Sequence, residues 1–198
     1  MRIAPTVASA AARLLLDAIM TADDTDDDGL NAAAAQVEAV ATDLRGFALG
    51  EPVHRVRGER LHSDYLPRSP LVGSVSPLSP LATWTFDAGV VDLRVRFGAA
   101  YEGPPGHLHG GFVALVFDEL LAMATVLTGE SGLTGKLSVR YRRPTPLHDE
   151  LRCNAWIERR EGRRIVAKGM IRADGEITAE AEALFVKMRD EHAVKYFT

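Results

Sequence analysis

His109-Gly-Gly-Phe-Val-Ala-Leu-Val-Phe-Asp-Glu-Leu-Leu-Ala-Met-Ala-Thr-Val-Leu-Thr128 is the stretch whose reading decides the fold. Apolar residues fill Phe112 to Phe117, then Leu120 to Ala124, Val126 and Leu127. On a helix these positions face every direction, which predicts a helix enclosed by other structure rather than laid on a surface. Only Asp118 and Glu119 interrupt its middle with charge. A buried carboxylate is paired, protonated or open to a cavity, because burying it unpaired costs several kcal/mol. Neighbouring helical residues point about 100° apart, so the two carboxylates cannot share one role.

The flanking sequence can supply the enclosure. Ala82, Trp84 and Phe86 alternate with Thr residues up to a turn at Gly89, and Val91, Leu93, Val95 and Phe97 alternate with Asp92, Arg94 and Arg96. This two-residue period predicts a hairpin with one face buried. Beyond the helix, Leu137, Val139 and Tyr141 form a strand pattern that ends at Pro144 and Pro146. Leu151 to Ile157, Ile165 to Ile171 and Ile177 to Phe185 give three more, separated by Gly162 and by Asp174-Gly175, a strong hairpin signal. The expectation is α+β: a hairpin, one long central helix, then a four-stranded antiparallel meander, with the sheet wrapped around the helix.

Residues 1–75 have another texture, read as an N-terminal helical extension and irregular linker ahead of a domain over 76–190. Two Ala-rich helical patterns, Val7–Met20 and one from Gly29–Asn31 to about Arg45, flank the acidic run Asp23–Asp28. Asp24, Asp26, Asp28 and Gly29 fit the opening of a calcium loop, but its twelfth position falls on Ala35, so the coordination sphere cannot close. The run is read as a solvated turn. Arg2 and Ile3–Ala12 loosely imitate a secretory leader, but Arg13 and Asp17 interrupt it; a cytoplasmic protein without a membrane span is expected.

The 198 residues, 46% hydrophobic and 25% charged, suit one globular domain with an extension rather than a disordered chain. One cysteine, Cys153, excludes an internal disulfide and a Cys-based zinc site, and it is read as a small core residue. A net charge of −4 argues against gripping nucleic acid as the main task.

The chemistry concentrates at the start of the helix. His109-Gly110-Gly111 follows the loop Gly103-Pro-Pro-Gly106. A helix N-terminus offers unpaired N–H groups and the positive end of the macrodipole, and two glycines let a ligand approach the backbone closely. Such a place suits a developing oxyanion. The same glycines could instead serve close packing, with His109 as an unusual cap.

Gly103-Pro-Pro-Gly-His-Leu-His-Gly-Gly111, Asp118 nine residues after His109, and Thr134 ahead of Tyr141-Arg-Arg-Pro-Thr-Pro-Leu147 together resemble the PaaI-like, THEM-type branch of hotdog-fold acyl-CoA thioesterases. The likeness spans roughly residues 75–188. It implies hydrolysis of a fatty or aromatic acyl-CoA to free acid and CoA without metal or cofactor. It also implies the roles: Gly110 N–H, next to His109, polarises the thioester carbonyl; Asp118 activates water or attacks; Thr134 assists. Where some members carry Asn six residues before the motif His, this chain has Gly103, so water positioning must differ or pass to His107 or a backbone group.

Gly110 and Asp118 are eight residues apart, about 12 Å along the helix, whereas reacting groups must approach to about 3–3.5 Å. The site is therefore expected to join Gly110 of one copy to Asp118 and Thr134 of a two-fold partner, in a homodimer or a dimer of dimers. Gly111, His107 and Glu119 are candidate substrate contacts, Glu119 also as a seam residue or a substitute for Asp118. Among the basic residues at strand ends, Lys136, Arg142 and Arg143 are the candidates for CoA phosphates. Two rival readings use the same pocket: a hotdog enoyl-CoA hydratase or dehydratase, and a non-catalytic acyl-CoA sensor.

Overall fold

A computed structural model describes residues 4–22, 27–45, 69–73, 76–80, 82–130 and 132–187. Its strands are β1 (Thr83–Asp87), β2 (Val90–Val95), β3 (Leu133–Tyr141), β4 (Leu151–Glu161), β5 (Arg164–Ala173) and β6 (Glu176–Val186). The helices are α1 (Ala4–Thr21), α2 (Asp27–Arg45) and the central α3 (Gly110–Leu127). A single antiparallel sheet runs in the order β1-β2-β4-β5-β6-β3. Both short hairpins take the primed turn geometry that suits twisted strands: Ala88 and Gly89 have φ 48 and 82, Asp174 and Gly175 have φ 48 and 81.

The expected meander needs one correction. β3 does not pair with β4; it crosses to the far side and pairs with β6, and β2 takes the place beside β4. Alternation in sequence encodes which face a strand buries, not which strand lies beside it. The turns after β4 and β5 are too short to do anything but pair consecutive strands. Residues 142–150, with Pro144 and Pro146, are long enough to change sheet edge.

α3 lies across the sheet and touches β2 to β6. Val113, Val116, Phe117, Leu120, Leu121 and Ala124 are buried in one cluster with Leu93, Cys153, Ile171 and Phe185. Gly169 makes the close approach possible: a Cβ there would lie 2.7 Å from the Asn154 carbonyl oxygen and 3.3 Å from Leu121. The expectation of enclosure on every side holds only toward the sheet. Gly111, Ala114, Leu115, Asp118 and Ala122 form a stripe that is not buried. By length and composition alone α3 could cross a membrane, but here its buried side packs on the sheet.

The N-terminal part binds to this body at defined points. α1 rests on the 3₁₀ turn Ala99–Tyr101. The Arg13 guanidinium donates to the Ser76 carbonyl at 2.9 Å, and the Ala99 N–H donates to Asp17 at 3.3 Å. Leu71, in the expected linker, is fully buried in the core cluster. Asp24 and Asp26 of the acidic run lie outside the described residues, and Asp27 and Asp28 open α2.

Candidate active site

The loop ahead of α3 is built around its glycines and prolines. Gly103 N–H donates to His107 O at 2.9 Å, His107 N–H to Pro104 O at 2.9 Å, and Gly106 N–H to the Glu102 carboxylate at 2.6 Å. His107 Nδ1 lies 2.8 Å from Pro105 O, so this edge of the ring serves its own loop. At Gly103 a Cβ would stand 2.7 Å from His109 Cα. The place where some thioesterases carry Asn is thus closed to any side chain here.

His109 caps α3, its Nδ1 accepting the Gly111 N–H at 3.0 Å. As an acceptor, Nδ1 carries no proton. His109 O accepts the N–H groups of Phe112 and Val113. Phe112 packs edge-on against Tyr101, which packs edge-on against Phe97, each at 5.0 Å between centroids. The Tyr101 hydroxyl donates to Leu78 O, and burial pushes its ionisation upward. Gly111, expected at the substrate, has its own N–H taken by the cap. Gly110, the first helical residue, has no intrahelical acceptor, and none is found for its N–H among the described residues.

The two carboxylates separate as their positions on the helix require. Asp118 is half-buried on the open stripe of α3, and no hydrogen bond or ion pair joins it to a described residue. Glu119 turns the other way and accepts the hydroxyl hydrogen of Ser69 within the same chain. Ser69 Oγ in turn accepts the N–H groups of Leu71 and Val72, both at 3.0 Å. Burial holds the Glu119 carboxyl above the usual carboxylate range; Ser69 opposes the shift and Asp118 adds to it. Glu119 thereby fastens residues 69–72 to the central helix, a partner fifty residues upstream that no periodicity announced.

On β3, Thr134 pairs with Phe185, and Lys136 with Leu184, across a register shift at Gly135. Directly opposed residues share a face of the sheet. Phe185 is fully buried. The bulge therefore gives Thr134 the same side as Leu137, Val139 and Tyr141, the side on which α3 lies; simple alternation would put it on the other. Glycine inside a strand pattern was the available signal.

Of the basic candidates, Arg142 is held by Glu180 at 2.6 Å and Arg143 by Glu176 at 3.0 Å. With Arg172 they line an open groove near the β5–β6 turn. Lys136 is exposed with no ion pair among the described residues. Arg160 and Lys187 pair with Glu130 just after α3, and Lys187 above all draws that carboxyl below its ordinary range.

Residues 105–180 match the family model of the Thioesterase superfamily. A crystal structure of a thioesterase superfamily protein is 32% identical, with a TM-score of 0.79, over 92% of this chain and 94% of that one. The chain belongs to the thioesterase superfamily. Acyl-coenzyme A thioesterase THEM4 of Xenopus laevis is 34% identical over 46% of this chain and 42% of its own length. The chain thus spans about two-fifths of that relative. A hypothetical thioesterase protein of Streptococcus pneumoniae, solved with coenzyme A, shares the fold at 19% identity, with a TM-score of 0.51 over 55% of this chain and 91% of that one. The family match, residues 105–180, includes Gly110, Asp118 and Thr134.

Proposed function

We propose that this chain is an acyl-CoA thioesterase that hydrolyses a fatty or aromatic acyl-CoA at a site shared between two copies. The observation that carries the reading is the division of labour along α3. An amide without an acceptor among the described residues, Gly110 N–H, stands at its positive end, and a carboxylate without a hydrogen bond or ion pair among them, Asp118, lies two turns further on its open stripe. The first is a donor for the oxygen of a thioester as it gains charge; the second is a base for water or a nucleophile. At a rise of about 1.5 Å per residue the two are about 12 Å apart along one helix. One carbonyl cannot reach both, so the proposal needs a second copy.

The half-open stripe Gly111, Ala114, Leu115, Asp118 and Ala122, and the edge strand β3, are the surfaces such a copy would cover. Small residues on the stripe allow helices to approach closely. Thr134, turned to the α3 side by the bulge, is assigned to assist Asp118 of the same copy. CoA fits as the leaving group in view of the named relatives. Its phosphates are assigned to Arg142, Arg143 or Lys136, where a phosphate must compete with Glu180 and Glu176 for the arginines. The cytoplasmic setting expected from the sequence belongs to this proposal.

The test is release of free thiol from short, medium, long and aromatic acyl-CoAs by the purified chain, with its mass in solution measured in parallel. Turnover by a dimer or larger assembly, abolished in Asp118→Asn, is expected. Tight acyl-CoA binding without thiol release would replace hydrolysis by sensing, and hydration of an enoyl-CoA without thiol release would replace it by hydratase chemistry.

A further inference from the structure

The turn that presents Gly110 contains two consecutive glycines, the residues with the greatest backbone freedom. An amide that stabilises charge must be held in place before charge develops, since reorganising it during the reaction adds to the barrier. Something has to hold this peptide still, and the structure shows what does.

The Tyr141 hydroxyl donates to the Gly110 carbonyl oxygen at 2.9 Å. That oxygen belongs to the same peptide unit as the Gly111 N–H, which donates to His109 Nδ1 at 3.0 Å. The Gly110–Gly111 peptide is therefore pinned at both ends, in a chain running from Tyr141 through the peptide to His109. Hydrogen bonds in series polarise and strengthen one another. The preceding peptide is pinned at its oxygen, since His109 O accepts from Phe112 and Val113. Its N–H, that of Gly110, has no acceptor among the described residues.

Tyr141 is itself well anchored. It ends β3, paired with Ala179 of β6, and the Arg142 N–H that follows donates to Thr178 O at 2.8 Å. The ring would lie 3.5 Å from a Cβ at position 110, so it also walls one side of the turn. The side chain remains about half exposed, so core packing alone does not explain a tyrosine here.

We propose that Tyr141 is a positioning residue for the carbonyl-polarising amide: its hydroxyl fixes the Gly110–Gly111 peptide and, through it, the direction of the Gly110 N–H. This rests on the thioesterase reading for its kinetic consequence, but not for its structural one.

Tyr141→Phe keeps the ring and removes only the donor. With the best acyl-CoA substrate, kcat is expected to fall about tenfold while KM stays within about twofold, the pattern for an interaction that acts in the transition state. The midpoint of thermal unfolding should stay within a few degrees of the parent. In protein labelled with 15N-glycine, the Gly111 amide should shift upfield and exchange faster in Tyr141→Phe. Unchanged kcat, or a rise in KM alone, would overturn the proposal, as would a loss of activity explained wholly by unfolded protein. If the parent chain hydrolyses no acyl-CoA, the thioesterase reading falls by itself. The Gly111 amide then still decides whether Tyr141 holds the turn, and an unmoved amide overturns that as well.

Discussion

The two flanks of the central helix begin one residue apart and end in opposite situations. On the Glu119 flank the chain has covered its own helix: Ser69 meets the carboxylate, and Leu71, two residues on, is fully buried in the core cluster. On the Asp118 flank the same chain leaves a stripe of glycine, alanine and leucine half open and gives the carboxylate no partner among the described residues. One acid is committed to holding the fold together and the other is left available for chemistry. The difference lies in the partners: Glu119 meets the Ser69 hydroxyl, and Asp118 meets no such group among the described residues.

The strongest way to break this contrast is Asp118→Asn. The proposal requires thiol release to fall by about a hundredfold or more, in the range of lost general-base catalysis. The urea midpoint should stay close to that of the parent, because no contact of the fold is removed. Loss of stability without loss of turnover would show that the open flank is structural after all.

Gly103→Asn comes next and attacks the turn between the flanks. Any Cβ there meets backbone of His109 at 2.7 Å, so the loop or the helix start must move. Strain of this kind costs about 1–3 kcal/mol. A lower melting temperature is expected together with reduced turnover, since the displaced residue carries the cap of α3. A fully active and equally stable Gly103→Asn protein would show that the loop yields more readily than its packing indicates.

Ser69→Ala tests the covered flank. It removes the donor to Glu119 and the acceptor for two backbone N–H groups, and an unsatisfied, partly buried polar group costs about 1–3 kcal/mol. Denaturant unfolding should show that loss, while kcat per folded molecule stays near the parent value. A large fall in kcat at unchanged stability would move Glu119 into the chemistry.

How much of this was legible in sequence depended on whether the signal was local. The bounds of α3, the Asp174-Gly175 hairpin and the buried faces of β2, β4, β5 and β6 follow from periodicity and turn chemistry within a few residues. The position of β3 beside β6 did not, because pairing partners are chosen by long-range packing that alternation leaves open. Thr134 was legible as a residue but not as a facing, since one extra residue at Gly135 reverses the pattern. Glu119 was legible as an anomaly on an apolar helix; its partner Ser69 lay in a stretch without any period. The crowding at Gly103 was hidden altogether, because a missing side chain does not reveal what occupies its place.

The smallest effect separates the two acids by titration rather than by turnover. Burial raises the Glu119 carboxyl above its value in the unfolded chain, so the folded state holds that proton more tightly. Its contribution to stability is complete at acid pH, below the unfolded value of about 4.3, and is lost as pH rises through the folded one. Glu119→Gln cannot ionise, and its amide oxygen can still accept from Ser69. The variant should match the parent in urea at pH 4 and become slightly more stable than it as pH is raised toward 8. A difference that shrinks with rising pH would mean that the ionised Glu119 is welcome where it sits, and that the acid on the covered flank is held by charge rather than confined by packing.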